Sequence, residues 1–164
     1  MLNSENNEIL TRVGPGTAMG GLFRQFWQPA LLCEELPAPD CPPVRVRLMG
    51  ENFVAFRDSS GKVGLLDAHC PHRLAELFFG RNEEGGLRCV YHGWKFSVTG
   101  ELLDMPSEPA GSPMRCNPNI RAKAYSVHEA GGIVWAYLGP QECVPPLPQM
   151  EFMSLPAQNF YTSK

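Results

Sequence analysis

Apolar and polar residues alternate along residues 44–48, where Val44, Val46 and Leu48 are separated by Arg45 and Arg47. A period of two marks a strand with one buried face. The turn at 49–52 leads into the apolar run 53–56, which is expected to pair back on it. Asp58-Ser59-Ser60-Gly61 forms the next turn, followed by a strand at 63–66. Two more strand-like pieces, 87–90 and 95–98, flank a break at Gly93, and Thr99-Gly100 turns the chain again. Residues 125–128 and 133–138, joined through Ala130-Gly131-Gly132, predict a last hairpin. Short strands at this spacing predict an all-β sandwich or barrel.

Earlier in the chain the period lengthens. Met19, Leu22, Phe23 and Phe26 recur at helical spacing with Trp27 beside them, and Thr17 is placed to cap their helix. Pro29 is expected at the helix end or just past it. The apolar face is expected to pack on its own domain, with contact to a neighbouring subunit as the alternative. Residues 1–13 form a mobile or weakly helical lead-in, 34–43 a proline-rich connection and 106–119 a loop. Gly139-Pro140 and Pro145-Pro146-Leu147-Pro148 are expected to leave the domain. The resulting division is a lead-in with a short helix over 1–29, the main domain over 30–140 and a Pro-rich connector over 141–164.

Composition supports the β reading. Sixteen glycines and sixteen prolines make up about a fifth of the 164 residues, too much turn chemistry for a helical bundle. Charge narrows the function. The formal net charge is −3, and the absence of any basic run argues against nucleic-acid binding. The longest strongly apolar stretch, 133–138, is too short to cross a bilayer, and the polar, acidic start lacks the features of a secretory signal. A cytoplasmic protein without membrane contact is the expectation. Six cysteines there read as thiols or metal ligands rather than disulfides.

Two motifs carry chemistry. Cys70-Pro71-His72 offers a thiol and an imidazole at spacing C-x-H; Cys89-Val90-Tyr91-His92 offers the same pair at C-x-x-H, sixteen residues further on. Pro71 stiffens the first motif, and Gly93 lets the chain fold away after the second. Tetrahedral zinc is one reading, although zinc sites pair like with like, as C-x-x-C and H-x-x-x-H. The other is a [2Fe–2S] cluster with two Cys on one iron and two His on the other. The mixed pairs fit it, since each loop can send its Cys inward and its His outward. Coincidental core residues are the bland alternative. Cys33, Cys41, Cys116 and Cys143 lack paired spacing and read as free thiols; His69 and His128 read as ordinary polar residues.

With Arg73 and with Gly93-Trp94 added, the two motifs resemble the Rieske domain of ring-hydroxylating oxygenase α subunits, near the phthalate and phenoxybenzoate dioxygenase types. The flanks 23–29, 104–109 and 133–140 are similar as well. The resemblance implies an all-β Rieske fold of small antiparallel sheets with a cluster-binding subdomain and a short N-terminal helix. It implies that Cys70 and Cys89 hold the inner iron and His72 and His92 the outer one. Pro71, Arg73, Tyr91, Gly93 and Trp94 then surround the cluster. Tyr91 and Trp94 are expected to pack the loops and exclude water, while Arg73 is either a solvated charge or a docking group for a redox partner.

The same resemblance implies a longer protein. A reductase or ferredoxin would supply electrons, and a catalytic domain of the same or a neighbouring subunit, in a homotrimer, would use them at a mononuclear Fe(II). His69 and His128 cannot build that second site, so the sequence is expected to be the electron-transfer half, with no catalytic residues of its own. A stand-alone Rieske ferredoxin is the alternative. High-potential Rieske proteins add a disulfide between the loops and two hydroxyls near the cluster. Ala75 and Tyr91 occupy the disulfide positions here, and Trp94 and Phe96 the hydroxyl positions. A midpoint near the bottom of the range of roughly −150 to +300 mV follows, falling as pH rises through the imidazole pKa values.

Overall fold

A computed structural model describes residues 2–163. Two helices, α1 (Ser4–Thr11) and α2 (Ala18–Phe23), precede ten strands. These are β1 (Trp27–Leu32), β2 (Val44–Leu48), β3 (Glu51–Arg57), β4 (Val63–Asp67), β5 (Arg81–Glu83), β6 (Gly86–Arg88), β7 (Lys95–Phe96), β8 (Leu102–Asp104), β9 (Ala124–Ala130) and β10 (Ile133–Tyr137). Six form one antiparallel sheet in the order β1-β10-β9-β4-β3-β2, whose edges β1 and β2 approach each other so that it nearly closes on itself. The other four form a small sheet in the order β5-β6-β7-β8. This is the expected all-β class. Among the described residues no helix is long and apolar enough to cross a membrane.

The strands follow from the pattern. In β2 the alternating valines face inward and both arginines face solvent. Leu48 pairs with Glu51 across a two-residue Met49-Gly50 turn, with φ of 46° and 81°, values typical of a type I′ hairpin. In β3, the run Phe53-Val54-Ala55-Phe56 is buried on both faces, as an uninterrupted apolar run should be. Phe53 and Ala55 enter one core with Leu31, Leu36, Leu65 and Val134. Val54 and Phe56 enter a second with Leu66, Leu77, Leu87 and Phe96. Strands β3 and β4 are thus a wall between two cores, and the small sheet lies on the side of the second. Asn82 fastens it there by donating from Nδ2 to the carbonyls of Cys41 (2.9 Å) and Arg57 (2.7 Å).

The N-terminal expectation is only partly met. Thr17 caps α2, its hydroxyl accepting from the Gly20 amide at 3.1 Å. The helix stops at Phe23, however, and Gly20 is its only buried residue. Leu22, Phe23 and Phe26 are exposed, so the apolar face does not pack on its own domain. Pro29 lies inside β1 rather than at a helix end, next to a register irregularity between Pro29 and Leu31. The boundary expected between 29 and 30 therefore falls within a strand. The Pro-rich connector stays against the large sheet at first: the Trp27 indole donates to the Pro145 carbonyl at 2.9 Å, and Leu147 is buried.

Candidate metal centre

The first motif follows β4, and the second joins β6 to β7. Both loops close by the same two hydrogen bonds. The Cys70 amide donates to the Ala75 carbonyl (2.8 Å), and the Leu74 amide donates back to the Cys70 carbonyl (2.9 Å). In the second loop, the Cys89 amide donates to Trp94 (2.8 Å) and the Gly93 amide to Cys89 (3.1 Å). In each loop the fourth residue after the cysteine is left-handed, Leu74 at φ 57° and Gly93 at φ 75°. One turn geometry thus presents a Cys and a His twice, although the motifs differ in length.

The cysteines lie at the bottom of the loops. Cys70 and Cys89 are both buried and belong to the second core. Burial chiefly pushes the Cys70 thiol up to about 11; Cys89 adds to the rise, and the backbone amides of His72 and Arg73 oppose it. The imidazoles of His72 and His92 pair separately, with ring centroids 4.6 Å apart at 59°. Burial first, then the charges of His92 and Arg73, hold His72 below its ordinary value against the pull of Glu108. A neutral ring at pH 7 follows.

His72 Nδ1 is buried and has no hydrogen-bond partner. Leaving such a group unsatisfied costs about 1–3 kcal/mol, and coordination to a metal would satisfy it. Among the described residues, no three His, Cys, Asp or Glu side chains converge on a single-ion site. Two separate pairs suit a two-iron centre, in which each iron takes two protein ligands. The residues therefore fit a [2Fe–2S] group better than one tetrahedral ion.

Around these four, Trp94 is buried and stacks on His72, with centroids 4.3 Å apart and planes within 3°. Tyr91 tilts over His92 at 3.9 Å but is 57% exposed. Of the two aromatics expected to pack the loops and exclude water, Trp94 is buried and Tyr91 lies on the rim. Leu74 and Val90 are exposed on the same tips. Arg73 is exposed and makes no ion pair among the described residues; Pro71 is exposed as well. His69 pairs through its backbone with Glu76 in an isolated antiparallel β-bridge, and His128 packs edge-on against Trp27. Cys33, Cys41 and Cys143 are free thiols, while the side chain of Cys116 lies outside the described residues.

Sequence reading missed the brace beneath the second loop. Arg88 donates from Nη1 to the Gly93 carbonyl and to Asp104 Oδ2, both at 2.8 Å. Arg115 donates to Asp104 Oδ1 at 3.3 Å and to the carbonyls of Met105 (3.0 Å) and Glu108 (2.9 Å). Between those carbonyls, Ser107 Oγ accepts from the Trp94 indole N–H at 3.1 Å. A Cβ on Gly93 would stand 2.7 Å from Pro106. The only signal was the 104–109 run, which carried a resemblance but no visible partner.

Comparisons with known proteins identify the family. The Rieske [2Fe-2S] domain family matches residues 26–126. The chain is 51% identical over 156 residues to the 3-chlorobenzoate-3,4-dioxygenase oxygenase subunit of Comamonas testosteroni, covering 95% of this chain and 35% of that protein. It is 50% identical over 145 residues to the phthalate 4,5-dioxygenase oxygenase subunit of Pseudomonas putida, covering 88% and 33%. The crystal structure of dicamba monooxygenase with non-heme iron and dicamba superposes with a TM-score of 0.67 at 27% identity, covering 77% of this chain and 38% of that one. The chain spans about a third of the length of these relatives.

Proposed function

The chain belongs to the Rieske [2Fe-2S] domain family, and from that premise we propose that it transfers single electrons through a [2Fe–2S] cluster held by Cys70, His72, Cys89 and His92. Cys70 and Cys89 hold the inner iron, and His72 and His92 the outer. The bound group supplies a one-electron store whose potential is raised by imidazole ligation. The carrying observation is the separation of the donors into a buried thiol pair and an imidazole pair nearer the surface, with His72 Nδ1 unsatisfied between the loops.

The chain's own residues do the rest. The backbone amides of His72 and Arg73 lower the Cys70 pKa against the effect of burial, which favours its charged form. Trp94 keeps water from one face of His72. Exposed Leu74, Val90, Tyr91 and Arg73 offer a docking rim. Within a longer oxygenase subunit, a reductase or ferredoxin delivers the electron to this rim. From there the electron would pass to a mononuclear Fe(II) held by a catalytic domain of the same subunit or of a neighbour in a homotrimer, which would supply the chemistry for oxygenating an aromatic ring. The protein works in the cytoplasm, a reading supported by the free thiols Cys33, Cys41 and Cys143.

Metal analysis and electron paramagnetic resonance test the proposal. Iron and acid-labile sulfide are expected in equal amounts, with a spectrum on dithionite reduction and a midpoint near the low end of the Rieske range. Cys89→Ser should abolish the iron–sulfur signal. Zinc without iron, or a loaded Cys89→Ser protein with an unchanged spectrum, would defeat the assignment.

A further inference from the structure

Metal-bound histidines are ordinarily oriented by a hydrogen bond at the nitrogen that does not bind the metal. Among the described residues, no hydrogen bond to a protein group orients the His72 ring. The His92 ring lies tilted beside it at 4.6 Å, and the indole of Trp94 stacks flat on it, parallel within 3° at 4.3 Å. We infer that Trp94 is a positioning residue for His72. Pinned through its N–H to Ser107, the indole fixes the plane of the imidazole and closes that face to water, and so helps set the midpoint potential of the cluster. The inference rests on the cluster assignment above.

Three observations make the indole a rigid wall. It is 5% exposed and packs against Phe96 in the second core, with centroids 6.5 Å apart. Its Nε1–H reaches Ser107 Oγ at 3.1 Å, so rotation about its side-chain bonds would break a hydrogen bond as well as a stack. Ser107 itself sits between two carbonyls held by Arg115, which with Arg88 grips Asp104. The order runs from the ion array to Ser107, from Ser107 to Trp94, and from Trp94 to His72.

The direction of the effect follows from charge. Two ferric ions, two sulfides, two thiolates and two neutral imidazoles sum to zero; the reduced centre carries one negative charge. A dry aromatic wall disfavours the added charge relative to water. Removing the wall therefore favours the reduced form and raises the midpoint.

The test compares the cluster-loaded chain with Trp94→Ala, Trp94→Phe and Ser107→Ala, using iron content, a dithionite redox titration and the resonance spectrum of the reduced state. Trp94→Ala is expected to raise the midpoint and shift or broaden the spectrum. Trp94→Phe keeps a flat ring but lacks the N–H and should give a midpoint between those of Trp94→Ala and the unsubstituted chain. Ser107→Ala should match Trp94→Phe. A loaded Trp94→Ala protein with unchanged midpoint and spectrum overturns the inference. Should Trp94→Ala not retain iron, Trp94→Phe decides: a displaced midpoint supports the role, and values identical to the unsubstituted chain overturn it. Absence of any iron–sulfur spectrum from the unsubstituted chain instead overturns the cluster assignment, and the role of Trp94 with it.

Discussion

Leu74 and Gly93 occupy matching places in two loops of the same shape, but not at the same cost. Both are left-handed, at φ 57° and 75°. A side chain with a Cβ gives up roughly 1–2 kcal/mol there, and Leu74 recovers little by packing because it is 72% exposed. Leu74→Gly is therefore expected to stabilise the fold by up to about 1 kcal/mol, the relief of strain being partly offset by a freer unfolded chain. Gly93→Ala should do the reverse by about 2 kcal/mol or more, adding a contact with Pro106 to the backbone strain. Urea unfolding of the two variants checks the pair. Opposite signs are expected, and equal effects would mean that the loops are not equivalent. Neither the shared turn nor the misfit leucine is visible in the sequence, because Gly93 advertises its conformation and Leu74 does not.

At the scale of elements, β6 and β8 are joined across β7 by Arg88 and Asp104, with Arg115 adding the loop beyond. The Arg88 guanidinium holds the Asp104 carboxyl below its ordinary value of 3.8. A depressed native pKa means that the brace contributes fully above that value and is lost as pH falls through the lower native one. Asp104→Asn should lower the melting temperature by a constant amount from neutrality to about pH 5, and by progressively less below about pH 4. A gap that stays constant in acid would remove the ionic role. This brace was illegible beforehand, since nothing in a linear pattern pairs residue 88 with 104. The long alternating and apolar runs were legible: β2, β3, β4, β9 and β10 all form close to where the pattern put them. Strand β1 was hidden by Pro29, which suits an edge strand with an irregular register. The three-residue strands β5 and β8 are too short to show a period. The four proposed donor residues could be named from the sequence because spacing and residue type are themselves sequence properties; the stack of Trp94 on His72 could not, because it depends on how two loops meet.

For the whole molecule, the important feature is the wall of β3 and β4 between two cores. Phe53 and Phe56 are both buried, the first in the core away from the candidate centre and the second in the core that contains Cys70, Cys89 and Trp94. Each Phe→Ala change should cost about 3–5 kcal/mol. Only Phe56→Ala is expected also to loosen the donor loops and speed the loss of iron to a chelator, with Phe53→Ala retaining it at the unsubstituted rate below its melting point. Equal rates of iron loss would show that the two cores act as one. The wall also restricts how such proteins can exchange parts. Neighbouring residues of β3 belong to opposite halves, so a shift of one position in its pairing would swap the contents of both interiors at once. Chimaeras assembled from two related genes should therefore survive crossovers on either side of residues 51–67 far better than crossovers within them.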